Sequence, residues 1–517
     1  MRWTLLLALV LLSCQGTDQV TLALIHPRSL EPSDAFASLT VTVRRLSDLQ
    51  VVEEGFVRGD TLQGPREAFD LSALEVGERY VLELEASAPV VCRDGRAIGR
   101  SLPFAHRNES YRIPVHVGCT DDFGLTASEV PTPRVAHSMA KLGDGTVLVA
   151  GGAETITFDG PEETFGIRVG EAPATTERYD PSTGEFIPGP TLIAPRALAG
   201  AVSLPSGAVG LLGGLTDMGP LCEDRVEILT PSSAALGERL RYPRCSPTAQ
   251  YLPDRDSVGV FGSALTDGVV LVTNRGVDAE MMTANLGGRV REEVRGQTYR
   301  FRPAVVSLED GARVLVVGGQ VATLALSPAE IFTVDASCPD GCTTPIPVED
   351  ASRGLGETSA VYIPCAAGGP GSVYVFGGRS RPEMVDVPRD DVWCYRDDAG
   401  EAVLSGKLPA PRYSAVSVRI RGPEGPRALV VGGTAGTRDA PMRPYEDALL
   451  IDVDGCSCTT VDPAAMRTLP VPFAGSLVGH AVTVMDDGAV LVVGGVEIAT
   501  GVEARATPEA AIMVPAF

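Results

Sequence analysis

The chain has 517 residues, 44% of them apolar, and a formal net charge of −23. That charge excludes a nucleic-acid partner, whose phosphates call for a basic face, and serves solubility instead. The apolar share is enough for a large core, and a repeat array overrides the three or four domains that length alone suggests.

The chain opens with Arg2 and an apolar run from Leu5 to Leu12. That run is far short of the roughly 20 residues a spanning helix needs, so it predicts a targeting segment over residues 1–13. It ends in Leu11-Leu12-Ser13-Cys14, which resembles the lipobox of bacterial lipoproteins. The resemblance implies cleavage before Cys14 and lipidation of its thiol. With Gln15 rather than aspartate next, it also implies an outer-membrane lipid anchor in a Gram-negative envelope, the facing side left open. The alternative is an ordinary secretory signal that leaves Cys14 a free thiol.

There are eleven cysteines, and ten remain once Cys14 is set aside. Nearness in sequence suggests Cys92 with Cys119, Cys222 with Cys245, Cys338 with Cys342, and Cys365 with Cys394. Cys456 and Cys458 are left over, and a bridge between them is strained. Export favours disulfides over a zinc site at these spacings.

Residues 14–119 alternate apolar and polar over 20–24, 39–43, 80–85 and 111–115. Period-two alternation between polar turns predicts half-buried antiparallel strands. We expect a small immunoglobulin-like β-sandwich, a spacer between lipid anchor and repeat array.

From residue 120 onward a unit recurs. It is a turn rich in Asp-Gly, an apolar strand and a glycine pair, as in Val147-Leu148-Val149-Ala150-Gly151-Gly152. The pair returns at Gly213-Gly214, Gly318-Gly319, Gly377-Gly378, Gly432-Gly433 and Gly494-Gly495. Asp-Gly is a hairpin signal. Aligning on it adds a further unit at Asp267-Gly268, where Thr273-Asn274 replaces the pair. Each unit is a small sheet that cannot bury its faces alone.

Glu177-Arg178-Tyr179-Asp180-Pro181 follows the first pair, and Pro-rich corners ending in arginine follow later, as at Leu408-Pro409-Ala410-Pro411-Arg412. Together these resemble the kelch repeat, over residues 120–517. The resemblance implies an all-β, seven-bladed kelch-type β-propeller behind the sandwich, related to the central domain of galactose oxidase. The last unit lacks its fourth strand, and residues 123–131 carry that strand's pattern. We expect the N-terminal strand to complete the C-terminal blade and hide two sheet edges.

Arg134, Arg196, Arg255, Arg302, Arg353 and Arg412 precede the inner strand of their units, with Phe473 at the seventh place. They form a candidate cationic ring at the channel mouth, or they hold neighbouring blades together. His137 and His480 occupy equivalent places in units 1 and 7. Galactose oxidase holds copper with tyrosines and histidines, and no cluster here matches that set. We expect neither metal nor cofactor, and no catalytic residue is assigned. The stretch from Ala153 to Thr176, with Glu154, Asp159, Glu162, Glu163 and Glu171, is a long acidic loop of the kind that binds ligands.

The function expected is therefore a non-catalytic, monomeric envelope scaffold that binds protein or glycan on a propeller face. The alternative is a propeller enzyme, either a copper oxidase related to galactose oxidase or a carbohydrate-active enzyme.

Overall fold

A computed structural model describes residues 9–12, 19–30, 36–58 and 74–517. It omits 108, 110, 158–167, 217–221, 263–264, 267–268, 271–276, 296–299, 301, 309–310, 312, 320–328, 334–341, 347–355, 381–386, 397–399, 401, 437–443 and 499–502. Cys14, Cys338, Arg353, Asp159, Glu162 and Glu163 lie outside the described residues, as does the side chain of Cys342. Among the described residues no helix is long and apolar enough to cross a membrane.

The chain is all-β. The N-terminal strands form one hydrogen-bonded path: Leu9–Leu12, Gln19–Ile25, Tyr111–Cys119, Arg96–Ser101, Arg79–Ser87, Ser38–Arg45 and Val51–Arg58, with Phe104–Ala105 beside Arg79–Ser87. This differs from the sandwich of two separate sheets expected for 14–119. Gln19–Ile25 pairs in parallel with Tyr111–Cys119 and joins the strands into one sheet. Alternation shows which face of a strand is buried, not which strand it pairs with. It does place the core: Leu39, Val41, Val43, Leu82, Leu84, Val115 and Val117 bury together.

The rest of the chain folds as small four-stranded antiparallel sheets, a propeller-like arrangement. Val135–Lys141, Gly200–Ser203, Thr248–Leu252, Ala304–Ser307, Ser359–Ile363, Val416–Ile420 and Ala481–Val484 open the repeat sheets in chain order. The second strands are apolar on both faces because a neighbouring sheet covers each side. Leu148 and Ala150 pack on Val209 and Leu211 of the second repeat sheet. Val147 and Val149, facing the other way, pack on Leu491 and Val493 of the last. That last sheet takes its fourth strand from Phe123–Leu125, which pairs with Ala510–Met513.

The glycine pair has a steric cause. Gly151 has φ +69°, and a Cβ on it would lie 2.5 Å from the Arg196 carbonyl oxygen of the next sheet. Gly152 N–H donates to that same carbonyl at 2.9 Å. The pair is where one sheet touches the backbone of the next, so no side chain fits.

The third repeat sheet departs from the sequence alignment. Its first two strands, Thr248–Leu252 and Ser257–Phe261, are joined at Pro253–Arg255, not at Asp267-Gly268. Leu265–Thr266 pairs with Val269–Val270 in a separate small hairpin. Gly262, with φ +76° and the Arg300 carbonyl of the next sheet beside it, therefore takes the glycine position of this unit, not Thr273-Asn274.

Two disulfides join Cys92 to Cys119 and Cys222 to Cys245. The expected Cys365–Cys394 bridge does not form. Cys365 bonds Cys456, and Cys394 bonds Cys458. Cys394 sits mid-strand opposite Tyr374, in the cluster that Cys458 packs against. Both bonds instead staple the fifth repeat sheet to the segment that follows Asp447–Asp452 of the sixth.

Candidate functional site

Each inner strand begins next to the end of its second strand, so these ends share one face with the segments that follow the glycine pairs. On this face Arg134, Arg196 and Arg412 are buried to within 2% of full burial. Arg134 Nη1 donates to the Gly151 carbonyl at 2.7 Å, and its Nη2 meets Glu177 at 2.5 Å. Arg196 makes the same pair with Glu227, and Arg412 meets Asp447 at 3.0 Å.

In the third and fourth repeat sheets the position belongs to Arg244, paired with Glu280 at 3.0 Å, and to Arg300, paired with Glu330 at 2.5 Å. Arg255 instead lies exposed in the turn Pro253–Arg255, and Arg302 follows Arg300 by two residues. In the last sheet the place is taken by Leu477, whose carbonyl accepts from Gly433 N–H at 2.9 Å as that of Arg196 does from Gly152, and not by Phe473. The described arginines of the recurrent position are thus buried ion pairs inside the sheets, not a free cationic collar. The misplacement at Arg255 follows from the misaligned third turn.

Two residues beyond the arginine position the backbone turns left-handed. Ala136, Leu198, Arg302, Glu357, Ser414 and Gly479 all have φ between 49° and 65°. Consecutive members bond through their backbones: Ala136 N–H to Gly479 O at 2.7 Å, Leu198 N–H to Ala136 O at 2.8 Å, and Ser414 N–H to Glu357 O at 2.9 Å. This set surrounds the place where the inner strands converge. It is small or apolar at Gly479, Ala136 and Leu198, and polar at Arg302, Glu357 and Ser414.

Glu357 is the centre of the polar half and is buried to 8% exposure. It accepts from Arg302 Nη1 at 3.4 Å, from Arg379 Nη2 and from the Ser414 hydroxyl. The Arg379 guanidinium also stacks 5.0 Å from the centre of the Tyr413 ring. Arg302 keeps 27% of its side chain exposed, so one guanidinium of the cluster meets solvent. Of this cluster the sequence singles out Arg302, in the candidate channel-mouth ring, but not Glu357, Arg379 or Ser414. Its signal was available only as a column, two places after the arginine, in which polar residues occupy consecutive repeats.

The acidic stretch after Gly152 is not a simple loop. Thr155–Thr157 pairs with Arg168–Val169 and with Glu503–Ala506, which pairs in turn with Val496–Ile498. This accessory sheet ties the first repeat sheet to the last. Ile156, Val169 and Ala504 bury against Val135, Ala136 and Ala197 beneath it.

His137 and His480 are buried in packing roles. A Cβ on Gly494 would lie 2.7 Å from His137 Cε1, and one on Gly432 would lie 3.0 Å from His480 Cε1. Burial, with the nearby Arg134 charge, pushes His137 down to about 3, and burial pushes His480 down to about 4. Both are neutral.

No family model matches the chain, and no curated protein matches it. Among solved structures, a fungal alcohol oxidase of the AA5 family, solved in complex with copper, is similar over 77% of this chain and 76% of its own, with 13% identity and a TM-score of 0.51. The two share a fold. At that identity the likeness speaks for architecture. It nevertheless overturns the expectation of a non-catalytic scaffold, because the neighbour is a catalytic protein, and it favours the enzyme alternative.

A copper centre needs several nitrogen, oxygen or sulfur donors converging on one point. Among the described residues no group of three or more His, Cys, Asp or Glu is arranged to hold a metal. The two histidines nearest the convergence are wedged against glycines, and Glu357 is saturated by arginines. The described histidine and carboxylate donors alone do not fit copper.

Proposed function

We propose that the chain is an exported propeller enzyme acting on a carbohydrate, with its site at the mouth where the inner strands converge. The repeat sheets support a closed ring of seven kelch-type blades, since each packs on the next and the last on the first. Disulfides support an oxidising compartment. Cleavage before Cys14 would remove Leu9–Leu12 and leave Gln19–Ile25 paired with Tyr111–Cys119, with lipid on Cys14 holding the molecule at the outer membrane.

The observation that carries the site is the Arg302–Glu357–Arg379 cluster. A carboxylate held by two guanidiniums is a weak base, so Glu357 is a positioning residue. It fixes Arg302, which reaches solvent, and Arg379. Guanidiniums held in place stabilise negative charge on a substrate oxygen without reorganising, and they suit the hydroxyl and carboxylate groups of a glycan.

The test is turnover by the purified full chain on neutral and acidic oligosaccharides, beside an alcohol-oxidation assay with added copper. Glycan turnover that falls at least about tenfold in Arg302→Gln, with the melting temperature kept, is the expected result. Oxidation of alcohols with no action on any glycan would overturn the substrate class. Glycan turnover untouched by Arg302→Gln would overturn the site.

A further inference from the structure

The opposite ends of the repeat sheets carry the hairpin turns, and those of the sixth and last sheets face the N-terminal sheet. Between them lies a cleft of about 1030 Å³. Arg44 and Arg100 line it from the N-terminal sheet, and Arg419 and Arg421 from the sixth repeat sheet. Four guanidiniums thus meet in a chain whose net charge is −23.

The carboxylates lining the cleft do not balance them. Glu83 is shared, 2.6 Å from Arg44 Nε and 3.8 Å from Arg100 Nε. Glu85 is drawn to Arg96 at 2.7 Å, and Asp486 to Lys141 at 2.7 Å. The exposed Glu54 and the α-carboxylate of Phe517 remain, fewer than the guanidiniums they face. Arg419 and Arg421 make no ion pair among the described residues. Arg100 is 6% exposed, and its Nε has no hydrogen-bond partner. Burial, and then the Arg421 charge, lower its pKa. Glu83, shared with Arg44, and Asp487 offset the Arg100 charge only in part, so a buried cation keeps an unsatisfied donor with a like charge beside it.

We infer that this cleft binds an anionic ligand through carboxylate or phosphate oxygens, with Arg100 at its floor and Arg419 and Arg421 at its rim. The planar fork of arginine matches both groups, and with Arg419 and Arg421 exposed at the rim the attraction is screened by salt.

Isothermal titration calorimetry of the full chain at low ionic strength tests this, with inorganic phosphate in one arm and galacturonate in the other. Saturable binding of at least one anion is expected, weakening as salt rises. Combining Arg419→Gln with Arg421→Gln should weaken it at least about tenfold. Both residues are exposed, so the fold survives the change, as an unaltered melting temperature would confirm. Arg239→Gln, in an exposed pair with Asp224 on the second repeat sheet, should leave binding unchanged. Phosphate alone would mark a phosphate-bearing ligand, and galacturonate alone an acidic sugar. If neither anion saturates, or the double substitution leaves affinity intact, the inference fails.

Discussion

His137 and His480 are buried imidazoles packed against the neighbouring sheet. Each fills the gap beside a glycine of the neighbouring sheet, and burial keeps it neutral, with values near 3 and 4. In the unfolded chain both protonate near pH 6.5. Below that pH the unfolded state binds more protons than the folded one, so stability falls as the solution becomes more acid. The loss runs from about pH 6.5 down to about pH 4 for His480 and about pH 3 for His137, at up to about 1.4 kcal/mol per pH unit for each residue. Urea denaturation across this range should show that slope, and the His137→Gln, His480→Gln double variant should flatten it. An unchanged slope in the variant would show that other groups carry it.

The buried arginines belong to the scale of elements, because each holds the first strand of a sheet to the third. Their place depends on which turn joins the first two strands. In the third repeat sheet the Asp267-Gly268 signal points to the wrong turn, and Arg255 to the wrong arginine. Arg244→Met leaves Glu280 buried without its partner and is expected to cost about 3–5 kcal/mol. Arg255→Ala is expected to stay within about 0.5 kcal/mol. Chemical denaturation of the two variants decides the strand assignment, and the reverse ordering would refute it. The other second strands were legible because a glycine pair marks the contact with the next sheet. The polar cluster at Glu357 was not, because Arg302, Arg379 and Ser414 come from three different repeats and share no local spacing.

At the scale of the molecule the ends are what matter. Phe123–Leu125 closes the last sheet, and Asp121 bonds Arg427 at 2.8 Å and Arg467 at 2.9 Å just before it. Burial would raise the Asp121 pKa, but those arginines and the Ala516 N–H bring it below the usual carboxylate value. The N-terminal sheet is latched onto the same region, with His116 held between Asp487 and the Tyr179 hydroxyl. A chain beginning at Val130 should therefore expose the edge of Ala510–Met513. A lower melting temperature and concentration-dependent association in sedimentation are the expected outcomes. A monomer of undiminished stability would show that the pairing at Phe123–Leu125 does not close the structure.

The repeating glycines, the apolar runs before them and the missing final strand determined the all-β class and the small-sheet architecture, because a period in sequence is a period in contacts. The partners of Cys365 and Cys394, the single N-terminal sheet, the third turn, the partners of Arg302 and the cleft at the N-terminal sheet were decided only by tertiary structure. Each depends on residues from separate strands or repeats meeting in space, and chain order places no constraint on which of them meet.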